Sequence, residues 1–152
     1  MHINTAPVPK KDGENQAIGR SRGGLTTKIH AIVDAVGNPA VFSLTPGQAA
    51  DISPAGPLLD LVEPDAFLAD KAYDADALIE TLKSRDITPV IPSKANRIAP
   101  RDTDFALYRE RNLVERFFGK LKQYRGIATR YDMLANTFLA AVALVCVLFW
   151  LN

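Results

Sequence analysis

The clearest alternation of apolar and polar positions runs through TKIHAIVD. Ile29, Ala31 and Val33 fall on one strand face, and Lys28, His30 and Asp34 fall on the other with Ile32. The turn AVGNP and the run AVFSL follow, so the pair reads as a β-hairpin split at Gly37-Asn38. His30, a lone histidine in a strand, reads as structural. TPGQAAD is a loop, and Ile52 to Val62 is a short helical piece broken by Pro54 and Pro57. AFLAD is an apolar run of strand length that closes on Asp70. KAYDADALIETLKSRD predicts a helix, with Ala77, Leu78 and Leu82 at helical spacing and Asp74 or Asp76 near its start. ITPVIPS predicts a short strand, and SKANRIAPRDTD a polar, basic loop. A long helix is expected from about Asp104 to Tyr124, and a last one from about Leu134 to Trp150. Residues 1–24 are polar and end in GRSRGG, which predicts a flexible polar and basic arm ahead of one folded unit over residues 25–152. Hairpin, helix, strand, helix, strand and then helices suggest a mixed α/β sheet with helices packed on it.

Composition bounds this picture. The chain has 152 residues, the size of one domain, and its 47% hydrophobic content allows a real core. The net charge of +1 says little about partners. Cys146 is the only cysteine, which excludes an internal disulfide and a cysteine-built zinc site and fits a reducing cytosol, so a cytoplasmic location is expected. Met133 to Asn152 carries no charge and could just cross a bilayer, but Asn136 and Thr137 interrupt it. A buried terminal helix explains the same pattern, and no membrane contact is expected.

Local charge is more informative. From Arg109 to Arg130 there are seven cations (Arg109, Arg111, Arg116, Lys120, Lys122, Arg125, Arg130) against two acids, Glu110 and Glu115. On a helical wheel with Arg111 at zero, Glu115 falls at ~40°, Lys122 at ~20° and Tyr108 at ~60°. Leu113, Val114, Phe117, Phe118 and Leu121 fall between roughly 200° and 340°. The helix therefore has an apolar side and, next to it, a stripe of two cations, a phenol and one acid. As an ordinary i,i+4 pair, Arg111 and Glu115 contribute only ~0.2–0.5 kcal/mol. Asp70 gives a second reading. It ends an apolar strand, where open sheets place their ligands, although a turn or helix-capping aspartate explains it too. Two carboxylates brought together would hold a hard divalent cation shared with substrate phosphate, and the neighbouring cations would steer the phosphate backbone. Arg20 and Arg22, flanked by glycines, could lie along the same backbone or form a plain basic loop.

These residues resemble a known family. Tyr108, Arg111, Glu115 and Lys122 fit the Y-(2)-R-(3)-E-(6)-K signature of bacterial insertion-sequence transposases in type and spacing. GRSRGGLTTKIHAIVDAVGNP, LTPGQAADI, LADKAYDADAL, VIPSKANR and RNLVERFFGKLKQYRGIATRYDML resemble consecutive blocks of the family-five transposases of the DDE group, covering about residues 17 to 152. The resemblance implies an RNase H-like fold. It also implies Mg²⁺- or Mn²⁺-dependent cutting at the element's ends, followed by attack of a 3′-hydroxyl on target DNA. By that comparison Asp70 and Glu115 are the second and third catalytic, metal-binding acids. Tyr108, Arg111 and Lys122 would lie along DNA beside the metal, with Arg20, Arg22, Arg125 and Arg130 as further DNA contacts.

One part of the family pattern is not matched. The first aspartate of such enzymes stands on the first strand of the sheet, upstream of an arm like residues 1–24. Asp12 in KKDGENQ has no apolar run around it, and Asp34 stands at a hairpin turn. The expectation is thus an RNase H-like sheet lacking its first strand. Such a chain would be the downstream frame of a two-frame element, completed by an upstream-frame part and able to assemble as a homo-oligomer, or a truncated relic. The competing reading is a non-catalytic DNA-binding transposase fragment that acts as an inhibitor.

Overall fold

The computed structural model describes residues 1–5, 16–132 and 134–151. It is a mixed α/β structure. β1 (His2–Thr5), β2 (Gly19–Ser21), β3 (Gly24–Val33), β4 (Pro39–Pro46) and β7 (Thr129–Arg130) form one five-stranded sheet. β3 is its hub: β4 and β2 pair along one edge and β1 along the other, all antiparallel, while β7 runs parallel to β1. β5 (Ala66–Leu68) and β6 (Thr88–Val90) form a separate parallel pair.

The β3–β4 hairpin follows the alternation of its sequence. Asp34 closes the turn, its Oδ1 accepting from the backbone N–H of Val36 at 2.9 Å and of Asn38 at 2.8 Å. Gly37 takes φ +91° there, a value that suits glycine. Ile29 faces a core with Ile3, Phe117, Leu121, Ile127, Phe138, Val142 and Cys146, while Ile32 packs against a second core built around Leu59, Leu78, Leu82 and Ile91. The two faces of one strand thus serve two cores. Gly47 folds the chain back over β3 so tightly that a Cβ there would lie 1.8 Å from Thr26 Oγ1.

Two strands lie within the stretch expected to be an irregular arm. In β1, Ile3 is fully buried, Met1 and Ile29 exchange backbone hydrogen bonds of 2.7 and 2.8 Å, and the ladder continues to Thr26. One apolar side chain in HINT makes no alternation, so the strand is stabilised by its neighbours and not by its own pattern. β1 accompanies β3 only from Thr26 to Ile29. Ala31 and Val33 share the orientation of Ile29, and on that edge they have no strand partner among the described residues.

The helices are α1 (Ala55–Leu59), α2 (Asp76–Ser84), α3 (Phe105–Tyr108), α4 (Asn112–Leu121), α5 (Arg125–Ala128) and α6 (Ala135–Leu151). The helix expected from Lys71 is interrupted: residues 71–73 form a 3₁₀ turn, Asp74 turns inward, and α2 starts two residues later. The helix expected from Asp104 to Tyr124 is likewise divided by a 3₁₀ turn at Arg109–Arg111. Its start is capped by Asp104, whose Oδ1 accepts from the N–H groups of Ala106 and Leu107 at 2.9 and 3.0 Å. α6 buries Phe138, Val142 and Cys146 and exposes Leu144, Val147 and Leu151. Trp150 Nε1 donates to the carbonyl of Pro39 at 3.0 Å, tethering the end of α6 to β4. Among the described residues no helix is long and apolar enough to cross a membrane.

Candidate nucleic-acid interface

Asp70 follows β5 at the point where the chain leaves the strand. Its Oδ1 caps the 3₁₀ turn by accepting from Ala72 N–H at 2.8 Å, and its carboxylate is exposed, with the second oxygen unpartnered among the described residues. The capping and ligand readings of this aspartate are compatible, because capping uses one oxygen. The turn is anchored by Asp74, whose side chain is 0% exposed. Asp74 accepts from Lys94 N–H at 2.7 Å and Arg97 Nε at 3.0 Å and pairs with Arg101. Both arginines also reach Asp76 Oδ1, each at 2.9 Å. The basic loop after β6 therefore spends two of its cations on internal carboxylates.

The other candidate residues lie on the α3–α4 segment. In a 3₁₀ turn residues three apart eclipse each other, so Tyr108 and Arg111 superpose, the guanidinium carbon 5.6 Å from the ring centroid. The regular helix then resumes, and Arg111 Nη2 donates to Glu115 Oε1 at 2.6 Å. Burial alone pushes the Arg111 guanidinium down, but the Glu115 hydrogen bond and the charges of Tyr108, Glu115 and Asp70 hold it above its ordinary value. Glu115 is the bonded partner of Arg111, and Asp70 contributes the smallest of these influences, through charge alone.

Other groups surround this face. Burial, with Asp51 and Asp70 nearby, pushes the Tyr73 phenol up to about 12, so it remains a neutral donor at any physiological pH. Lys28, buried on β3, donates to Asp51 Oδ1 at 2.7 Å and to the Ala49 carbonyl at 2.6 Å. His30 lies beside it and shares a 2.7 Å hydrogen bond with Thr45 Oγ1, in keeping with a structural role. Burial lowers the Met1 α-amino group to about 6, opposed by Asp51 and reinforced by Lys122 and Lys28, so Lys122 lies near the start of β1. Asp51, Tyr73 and Asp74 were not singled out from the sequence for this surface. The one available signal was Lys28 on the same strand face as His30, a buried cation that requires a carboxylate partner.

The proposed DNA contacts separate into three groups. Lys122 and Arg125 are exposed, Lys122 as the cap residue that follows α4 and Arg125 at the start of α5. Arg20 and Arg22 are exposed at the β2–β3 turn, at the opposite end of β3 from its unpaired edge. Arg130 is a correction. Its guanidinium is 0% exposed, donates to the carbonyls of Asp132 and Gln16 and to Thr27 Oγ1, and stacks 5.1 Å from the Phe138 ring. It is an internal brace, not a phosphate contact. Asp12 lies outside the described residues.

Among the described residues no three histidine, cysteine or carboxylate groups converge as a metal site would require. Asp70 and Glu115 are two oxygen donors of the right kind, but Arg111 holds one of them, so these residues alone do not complete a metal centre. Two hollows lie elsewhere, one lined by Phe42, Leu139 and Ala143 and one by Ile79, Lys83 and Arg101.

The family model for the transposase DDE domain matches residues 2–150. The chain belongs to the DDE transposase family. Its relatives agree: a Brucella ovis protein named as a proposed transposase for insertion sequence element IS6501 is 40% identical over 130 residues, covering 84% of this chain and all of that protein. A Burkholderia cepacia protein named in the same way for insertion sequence element IS402 is 30% identical over 154 residues, covering 93% of this chain and 69% of that protein. No solved structure matches the chain. As a transposase of the insertion-sequence type it acts on DNA, and DDE domains generally use divalent metal ions. In this transposase, Tyr108, Arg111, Glu115 and Lys122 lie along the segment from α3 to the end of α4.

Proposed function

We propose that this face is the strand-cleaving and strand-joining surface of an insertion-sequence transposase, with an RNase H-like arrangement of its strands. Asp70 and Glu115 supply two of three catalytic carboxylates. Tyr108, Arg111, Lys122 and Arg125 hold the DNA backbone, and Arg20 and Arg22 extend the track. The observation that carries this reading is the cluster on the α3–α4 segment, where Arg111 lies against the Tyr108 ring and donates to Glu115 Oε1 at 2.6 Å, in a chain that the transposase DDE-domain model matches over residues 2–150. The third carboxylate comes from an upstream segment that continues β1 along the unpaired edge of β3 at Ala31 and Val33. Mg²⁺ or Mn²⁺ binds productively only when that group is in place.

The chemistry in this reading is phosphodiester hydrolysis followed by transesterification. Lys122 and Arg111 position the phosphate beside the scissile bond, and charge-assisted contacts of this kind are stronger than neutral ones. Binding by the cations is electrostatic and weakens with salt.

The test uses duplex DNA carrying an element end. The chain alone should bind it without cutting. Supplied with the upstream part and Mg²⁺ or Mn²⁺, it should nick the DNA, and Asp70→Asn or Glu115→Gln should abolish nicking while leaving binding. Cleavage that survives both substitutions would remove the proposal. A second reading, a non-catalytic DNA-binding inhibitor, is favoured by the absence of a third converging carboxylate among the described residues. It expects binding but no cleavage under any of these conditions.

A further inference from the structure

Arg111 differs from the other cations of its segment. Arg109, Arg116, Lys122 and Arg125 are exposed and make no ion pair with a carboxylate among the described residues. Arg111 is paired to Glu115 at 2.6 Å, stacked against Tyr108 and acted on by Asp70, with only 29% of its side chain exposed. Its Nε is shielded from solvent and has no hydrogen-bond partner among the described residues. The guanidinium fork is therefore only partly used: Glu115 takes Nη2, and the neighbouring donor on the fork is idle.

From this geometry we propose that Arg111 is a latch, holding Glu115 in the DNA-free chain and releasing it when a DNA phosphate takes its place. The inference rests on the functional pairing of Asp70 and Glu115 argued above. A phosphate spanning the Nε–Nη2 edge satisfies both donors, as arginine forks do with planar or tetrahedral anions. Seating it there places a second anion beside Glu115 Oε1 on the same guanidinium, where the two repel, and draws the shielded Nε outward. Phosphate and Glu115 thus compete for one cation. A competition of this kind works in both directions: whatever frees Arg111 strengthens its grip on DNA, and DNA frees Glu115 to act as a ligand. Oε1 of the acid is released from its cation where DNA is seated.

The experiment measures binding of a fluorescein-labelled DNA duplex by anisotropy at several salt concentrations, without added metal. It compares the full chain with Glu115→Gln, Arg111→Gln and the double variant. Glu110→Gln on the same segment controls for the simple loss of a negative charge. Glu115→Gln should tighten binding beyond Glu110→Gln by on the order of threefold, the scale of one exposed ion pair. The slope of log Kd against log salt should steepen by about one as a further cation engages phosphate. The gain should vanish in the Arg111→Gln background. Binding by all variants with no extra gain in Glu115→Gln, or a gain that persists without Arg111, overturns the latch alone. No binding even by the unmodified chain overturns the DNA reading and the latch with it.

Discussion

Asp51 is held by groups that could not be seen together in the sequence. Burial pushes its carboxyl up, but the hydrogen bond and charge of Lys28, with His30 and the Met1 α-amino group, outweigh this and lower it below 3.8. A carboxylate depressed in the folded state adds stability that is present above its unfolded value and is lost as pH falls through the folded one. Acid unfolding followed by circular dichroism should therefore show a limb below about pH 4 that flattens in Asp51→Asn. An unchanged limb would mean that the pair adds nothing. At this scale the sequence was legible where a single neighbour decides the outcome. Asp34 reads as a turn residue and caps its own turn, and Arg111 and Glu115 meet at the expected helical spacing. Arg130 was not legible, because Gln16 and Thr27, which bury it, lie 114 and 103 residues away.

Elements were legible where their patterns are long. The β3–β4 hairpin follows its alternation, whereas β1 contributes one apolar contact and β7 has two residues, too few for a period to appear. The 3₁₀ turns were hidden because the same residues suit either helix; what decides is where Asp74 and Tyr108 must point. Asp74 joins the turn after Asp70 to the loop after β6, so its loss takes from two guanidinium groups their buried partner and leaves a backbone donor unpaired. Asp74→Ala should cost about 3–5 kcal/mol in urea unfolding, as expected when one partner of a buried pair is removed. Asp76→Ala, at an exposed carboxylate, should stay within about 0.5 kcal/mol. Equal costs for the two would remove the anchoring role of Asp74.

In the whole molecule, β3 stands between two cores. One is closed by α4 and α6 and the other by α1 and α2. Asp70 follows β5 beside the second core, and Glu115 is on α4 beside the first. In that first core α6 packs with α4 against the sheet. Phe138, at 0% exposure, is the centre of that contact. Phe138→Ala should cost about 3–5 kcal/mol in thermal or urea unfolding. A loss under about 1 kcal/mol would show that α6 is not needed to close the first core.

The bond from Trp150 to Pro39 has a practical consequence. Trp150 is the sole indole of the chain, and its ring reports on one seam between the last helix and the hairpin. Intrinsic emission is thus a built-in optical gauge: a red shift that precedes loss of the far-ultraviolet signal would mean the terminal helix peels away before the sheet dissolves.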